Sequence, residues 1–326
     1  MQPFKHTDVT TVSDATAALT QPNVAASAIA GGTDLLNALE TGIYSPTTAI
    51  PYPQLVVNLK TIPNLDTIAV SGSTLKVGAL AKLADIASSS VVQSSCPALA
   101  SAAASVATPN VRNMGTLGGN LAQAVQCWYY RYPDRVGGRI VCLRKGGNTC
   151  YAVGGVNTYH SIYGAPKGCY SVYPSDTATA LTALDASVVT SSRTIPIESF
   201  FDALTGTVLK PGEIITEVDV PVPASGTKQA YVKYAQRKAI DFAVVSVATL
   251  LTLNGTTCTA ARIALGGVAP TPLRSTAAET AVVGQTLNAT SAAAAATAAV
   301  ASATPLPYNT YKVPILKSIL SQALLS

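Results

Sequence analysis

Charge is scarce in this chain: 21 Lys or Arg and 16 Asp or Glu among 326 residues make 11%, against roughly 25% in ordinary soluble domains. The net +5 is too small for a nucleic-acid binder, and outside one loop there is no basic strip with interleaved aromatics. No apolar run reaches the ~18 residues of a membrane span; the best, Phe242 to Leu253, contains Ser246, Thr249 and Thr252. The first residues carry Lys5, Asp8 and Asp14 and no apolar stretch. A soluble protein made in the cytosol is expected, without a Sec or twin-Arg signal of its own. Also missing are a nucleophile motif, an HExxH pair, paired carboxylates and the G-x-G-x-x-G dinucleotide fingerprint, so no acid–base chemistry on a substrate is expected here.

What is present is apolar mass. At 48% hydrophobic residues the chain can bury a large core, and about 150 residues per domain suggests two domains or three lobes. Few charges with much Ala, Ser and Thr fit a surface that faces other subunits, or alternatively a composition suited to an acidic or extracytoplasmic setting.

The pattern predicts strand, helix, strand from Phe4 to about Leu55, with helices at Asp14–Leu19 and Asp34–Glu40 and a strand at Ala25–Ala30. From there to Leu121, a second α/β lobe opens with β-type runs at Gln54–Leu59 and Thr74–Val77 and helices near Leu80–Ala87 and Ala98–Val106. Residues 127 to 169 form an irregular insert. The lobe resumes with a helix at Asp176–Leu184 and a strand at Ser187–Thr190. Beyond Pro221 and Pro223 come β runs at Ala230–Gln236, Val244–Leu253 and Ala260–Leu265, then helices between Ser275 and Ala303. The expected division is 1–222, with lobes at about 1–55 and 56–222, followed by 223–326.

Two glycine turns carry the first functional signal. Ala30-Gly31-Gly32-Thr33-Asp34-Leu35 sits between an apolar strand and a helix start, with Thr33 and Asp34 available as caps. Such a turn points backbone N–H groups outward, where a pyrophosphate can approach without a Cβ in the way. The second turn, Thr108 to Leu121, offers Gly115, Gly118 and Gly119 with Thr116 and Asn120 as side-chain donors. Taken alone such a turn is a weak signal, more often just a turn; a diphosphate lying between two lobes accounts for both.

AGGTDLL at Ala30 to Leu36 and RNxGTLGGNL at Arg112 to Leu121 resemble the two FAD-binding motifs of the medium, flavin-carrying subunits of molybdenum hydroxylases, the xanthine dehydrogenase and carbon monoxide dehydrogenase group. Tyr231 to Tyr234, Arg237 to Ala243 and Arg262 to Pro270 resemble that family's C-terminal domain. The resemblance implies an α+β protein: a PCMH-type FAD-binding fold of two α/β lobes plus a CO-dehydrogenase-flavoprotein-like C-terminal domain. By the same resemblance Ala30 to Leu35 wrap the pyrophosphate, helped by Thr108, Thr116, Gly118 and Asn120. Asp176 approaches the ribose and adenosine part, unless it is only a helix N-cap, and Lys233 approaches the flavin. Covalent attachment is not expected, because His6 and His160 lie outside both motifs.

Four of the six cysteines, Cys127, Cys142, Cys150 and Cys169, fall within the insert in the spacing C-x14-C-x7-C-x18-C. There is no C-x2-C pair of the zinc-ribbon kind. Four thiolates in an irregular loop suit a [4Fe–4S] cluster, with a four-thiolate zinc site, two disulfides or free thiols as alternatives. Arg131, Arg135, Arg139, Arg144, Lys145 and Lys167 against Asp134 supply positive charge. Trp128, Tyr129, Tyr130, Tyr132, Tyr151, Tyr159 and Tyr163 supply shielding. Cys96 and Cys258 read as buried small hydrophobes.

The insert is similar to that of the FAD subunit of heterotrimeric periplasmic aldehyde oxidoreductases, which binds [4Fe–4S]; 4-hydroxybenzoyl-CoA reductase has an analogous subunit. The implied role is an electron relay: a large molybdenum-cofactor subunit oxidises substrate, a small [2Fe–2S] subunit passes electrons on, and FAD here delivers them to an external acceptor. A heterotrimer or a dimer of heterotrimers is implied, in cytoplasm or periplasm. A stand-alone flavin oxidase and a zinc- or disulfide-stapled binding module are the rival readings.

Overall fold

A computed structural model of the chain describes residues 1–44, 51–133 and 140–326. The first lobe runs β1 (Lys5–Asp8), α1 (Val12–Leu19), β2 (Ala26–Ile29), α2 (Leu35–Thr41) and β3 (Leu55–Asn58). Helix α1 starts where the Thr11 hydroxyl oxygen accepts from Asp14 N, while that hydroxyl donates to the Asp14 carboxylate at 2.7 Å. All three strands are parallel in the order β1-β3-β2. Strand β3 is therefore the centre of the first sheet rather than the opening of the second lobe. Its four residues LVVN are all buried, as a strand with neighbours on both edges and cover on both faces requires.

The second lobe contains β4 (Ile68–Ser71), β5 (Thr74–Gly78), the helices α3 (Leu83–Ser88), α4 (Ser90–Ser95), α5 (Pro97–Ala104), α6 (Pro109–Arg112), α7 (Leu117–Ala122) and α8 (Asp176–Ala183), then β6 (Ser187–Thr190) and β7 (Thr194–Pro196). It closes with α9 (Ile197–Phe200), a small hairpin of β8 (Phe201–Asp202) and β9 (Gly206–Thr207), and β10 (Ile215–Pro221). Its main sheet has the order β4-β5-β10-β6-β7, each pair antiparallel. The last strand in sequence is thus the middle one in space.

The C-terminal domain is a four-stranded antiparallel sheet, β11 (Lys228–Tyr234), β12 (Val245–Asn254), β13 (Thr257–Gly266) and β14 (Leu273–Arg274), covered by α10 (Thr276–Val282), α11 (Ala289–Val300) and α12 (Lys312–Leu325). The Ala-rich α11 is closed by a capping box in which Asn288 Oδ1 accepts from Ser291 N and Ser291 Oγ from Asn288 N. Helix α8 lies between the second lobe and this sheet with all eight of its residues buried. A Cβ on Gly266 of β13 would stand 2.1 Å from Thr179 Oγ1 of α8, so glycine is what permits this approach.

Apart from two short 3-10 turns, Leu143–Lys145 and Pro166–Gly168, the insert has no regular structure among its described residues. It is pinned instead to neighbouring domains. Ile162 joins the C-terminal hydrophobic core. Asn309 Nδ2 donates to the carbonyls of His160 and Ser161, both at 3.0 Å, and Tyr308 N donates to Asn157 Oδ1 at 2.9 Å. Although the insert interrupts the second lobe in sequence, residues 157–163 are held by the C-terminal domain. No described helix is long and apolar enough to cross a membrane.

Candidate functional site: a glycine-walled cleft beside a four-cysteine cavity

Both glycine turns line one cleft of about 520 Å3. In the first, the amides of Gly31 through Leu35 have no hydrogen-bond partner among the described residues; the helix ladder begins at Leu36 N, which donates to Gly32 O. Gly32 has φ +72°, a conformation that favours glycine. A row of unpaired N–H groups on such a turn is an anion nest.

The second turn is different. Most of its amides are already engaged: Gly115 to Val111 O, Leu117 to Ala81 O, Gly118 to Ala79 O, Gly119 to Thr116 Oγ1 and Asn120 to Thr116 O. It presents a mostly closed backbone to the cleft, with Thr116 N an amide that has no partner among the described residues. Gly118 does not line the cleft; a Cβ there would stand 3.0 Å from Ala79 Cβ and 3.1 Å from Ala79 O. Thr108 is likewise outside the lining, serving as N-cap of α6. The two turns touch directly, since a Cβ at Gly31 would stand 2.1 Å from Met114 O.

Asn120 lines the cleft, and its Oδ1 accepts from the hydroxyls of Ser175 and Thr177, each at 2.6 Å. That commits its oxygen and leaves its amide hydrogens to give. Asp34 is the N-cap residue of α2, but its side chain makes no cap bond. Its carboxylate accepts from Ala124 N at 2.9 Å and from Arg131 Nη2 at 2.5 Å, tying the first turn to the start of the insert. Sequence patterns missed Arg131 in this role, as they missed Ile240 and Phe242, which bring the C-terminal domain to the cleft.

Asp176 and Lys233 meet each other inside the fold. Neither lines the cleft: they form a buried ion pair of 2.7 Å, with Tyr231 donating to Asp176 at 2.6 Å. The Lys233 ammonium also donates to Ser105 O at 3.0 Å, just before the cleft residues Val106 and Ala107. Burial raises the Asp176 carboxyl above its ordinary value against the opposing pull of Lys233 and Tyr231. The α8 N-cap is Ser175, so the pair braces the wall from behind.

Cys127, Cys142, Cys150 and Cys169 all line a second, small cavity together with Tyr129, Tyr130, Tyr151, Arg144 and Ser171. All six cysteines carry free thiols, and Cys96 and Cys258 are buried elsewhere. Among the described residues no three His, Cys, Asp or Glu side chains converge as a single metal ion requires. What the four cysteines share is one cavity lining, a set of soft sulfur donors without a common centre among the described residues. Burial pushes the Cys127 thiol up to about 12 and also raises Cys142.

The expected aromatic shield divides. Tyr129, Tyr130 and Tyr151 face the cysteine cavity, Trp128 packs edge-on against Tyr159 at 5.7 Å, and Tyr163 turns away to donate to Ala299 O. Of the charges, Arg131 serves the cleft, Arg144 lines the cysteine cavity and Lys167 pairs with Asp202. Lys145 is buried and donates to Tyr132 O. Asp134, Arg135 and Arg139 lie outside the described residues.

With this geometry in place, comparison with known proteins is decisive. Residues 2–223 match the family of FAD binding domains in molybdopterin dehydrogenase, and residues 230–326 match the CO dehydrogenase flavoprotein C-terminal domain. The chain belongs to the FAD-binding flavoproteins of the molybdopterin dehydrogenases. This flavoprotein is 33% identical over 307 residues to the aldehyde oxidoreductase FAD-binding subunit PaoB of Escherichia coli (strain K12), covering 91% of the chain and 89% of that protein. It is 30% identical over 302 residues to the carbon monoxide dehydrogenase medium chain of Hydrogenophaga pseudoflava, covering 93% and 88%. The solved structure of carbon monoxide dehydrogenase from that organism, lacking the Mo-pyranopterin moiety, superposes with a TM-score of 0.77 at 29% identity over 99% of this chain and 97% of that one. The relatives are oxidoreductase subunits named as medium chains or FAD subunits, so the flavoprotein is part of an oxidoreductase, with the mixed α/β fold of its family.

Proposed function

We propose that the flavoprotein is an electron-relay subunit that holds FAD in the glycine-walled cleft and a [4Fe–4S] cluster on Cys127, Cys142, Cys150 and Cys169. The observation that carries the reading is the adjacency of the two cavities. Cys127 lines one and Arg131 the other, and a single turn, Arg131 N donating to Cys127 O at 2.8 Å, joins them. When bound, FAD exchanges one or two electrons and the cluster single electrons.

The chain's own groups are suited to holding these cofactors. The unpaired amides of Gly31 to Leu35 cradle the diphosphate, and Asn120 adds its amide hydrogens. Gly115, Thr116 and Gly119 form the facing wall, with Ala30, Gly31 and Gly32 keeping side chains out of the approach. Arg131 keeps Asp34 engaged, so that no free carboxylate faces the phosphates. Thr108, Gly118, Asp176 and Lys233 act indirectly by fixing the wall. Tyr129, Tyr130 and Tyr151 exclude water from the cysteine cavity, and Arg144 supplies positive charge beside it. No group in the cleft is arranged as an acid–base pair for substrate. Oxidation of an aldehyde- or xanthine-type substrate accordingly belongs to a large molybdenum-cofactor subunit, with electrons arriving through a small [2Fe–2S] subunit and leaving to an external acceptor. The fitting assembly is a heterotrimer or a dimer of heterotrimers.

The test is direct. The purified chain should show flavin absorbance over a broad iron–sulfur background with about four irons per chain, and substrate turnover only when its partner subunits are added. Zinc in place of iron removes the cluster, and turnover by the chain alone makes it a free-standing oxidase.

A further inference from the structure

One buried side chain at the cysteine cavity belongs to neither cofactor motif. His160 is 3% exposed, and its Nε2 stands 3.2 Å from Cys127 Sγ. Its Nδ1 is enclosed with no hydrogen-bond partner. The ring packs against Trp128 and Tyr129, with centroids 5.8 and 6.0 Å away. Its main chain is held from the C-terminal domain: Asn309 Nδ2 donates to His160 O at 3.0 Å, and the buried Lys312 ammonium donates to Tyr159 O at 2.9 Å. The ring is therefore fixed in place by two independent sets of contacts.

A metal-bound thiolate has lone pairs and no proton, so a ring nitrogen facing it interacts favourably only by donating. With Nδ1 unpartnered, the single hydrogen of a neutral ring belongs on Nε2, and a doubly protonated ring presents one there as well. We propose that His160 acts through Cys127, donating an Nε2–H···S hydrogen bond that raises the reduction potential of the cluster. The inference rests on the [4Fe–4S] reading of the four cysteines. Reduction places one electron on the cluster, supplied by dithionite in the titration below, with no bond made or broken and no proton moved on the protein. The added negative charge spreads onto the thiolate sulfurs, and a fixed N–H dipole stabilises that form. His160 is a positioning residue rather than a ligand. Ser171 makes the comparable contact to Cys169 Sγ at 3.2 Å, but it comes from the same strand of chain, whereas His160 is set by a different domain.

The experiment uses the full chain purified with its cofactors, as wild type, His160→Leu and His160→Gln. Iron and flavin are quantified first, then the cluster is titrated with dithionite and followed by electron paramagnetic resonance. All three should hold about four irons and equal flavin. His160→Leu should shift the one-electron equilibrium about tenfold toward the oxidised cluster, about 59 mV lower. His160→Gln, whose amide N–H reaches the same sulfur, should recover most of that shift, with the flavin potential unmoved. Equal potentials in all three, or the same shift in both variants, overturns the proposal. So does loss of iron from both variants, which makes His160 a ligand or a packing element. Absence of iron from the wild type overturns the cluster reading itself and this inference with it, and iron analysis shows that before any titration.

Discussion

The cleft and the cysteine insert solve opposite problems. The cleft is assembled from the ends of regular elements, with its nest amides exposed by a tight turn and its far wall closed by backbone bonds. The insert has almost no ladder of its own and borrows its shape from side-chain contacts to the first lobe, through Asp34 and Arg131, and to the C-terminal domain, through Asn309 and Lys312. One site is shaped by packing before its ligand arrives. The other gathers four cysteines on one cavity lining with almost no regular structure around them.

That contrast can be broken in stages, from the largest expected effect downward. Cys150→Ser should drop iron from about four per chain to nearly none while flavin content holds; co-loss of flavin would show that the two sites are not separately built. Asp176→Ala strands the Lys233 ammonium inside the protein and should cost about 3–5 kcal/mol, read as a fall in unfolding temperature, with Asp176→Asn/Lys233→Met recovering most of it. Gly31→Ala, pressed against Met114 O, should cost about 1–3 kcal/mol and lower flavin content, and Gly118→Ala should do less because its nearest contact is looser. Arg131→Met should weaken FAD about tenfold, ~1.4 kcal/mol, in a titration of the flavin-free chain, leaving iron unchanged.

A pH dependence offers a separate check. Burial lowers the Lys312 ammonium from 10.5 to about 7. The unfolded chain then binds more protons than the folded one between these values, so stability should rise with pH from about 7 to about 10.5. A neutral amine still has two hydrogens for the two carbonyls it serves, Tyr159 O and Gly267 O. Lys312→Met should flatten the slope in denaturant melts across that window.

Much of the architecture is legible because local patterns are strong there. An apolar strand followed by Gly31-Gly32 specifies a strand, a tight turn and a helix, and that is what β2 and α2 form. Strand β10 escapes notice because the pairing register with β6 shifts between Ile215 and Glu217, which breaks the period-two alternation. Helix α12 is masked by Pro314, tolerated because it falls in the first turn, where an N–H has no helical partner to lose. The Asp176–Lys233 pair shows the other limit. Sequence marks both residues as special, but not that they pair with each other inside the fold.

The stitches that hold residues 157–163 come from residues 304–312, roughly 150 positions later in the chain. At about 5–20 residues per second of synthesis, Cys127 and Cys150 emerge from the ribosome on the order of ten to thirty seconds before the segment that steadies their loop. The glycine turns, whose partners lie within one another's lobes, face no such wait. The contacts that steady the loop thus become available only near the end of synthesis.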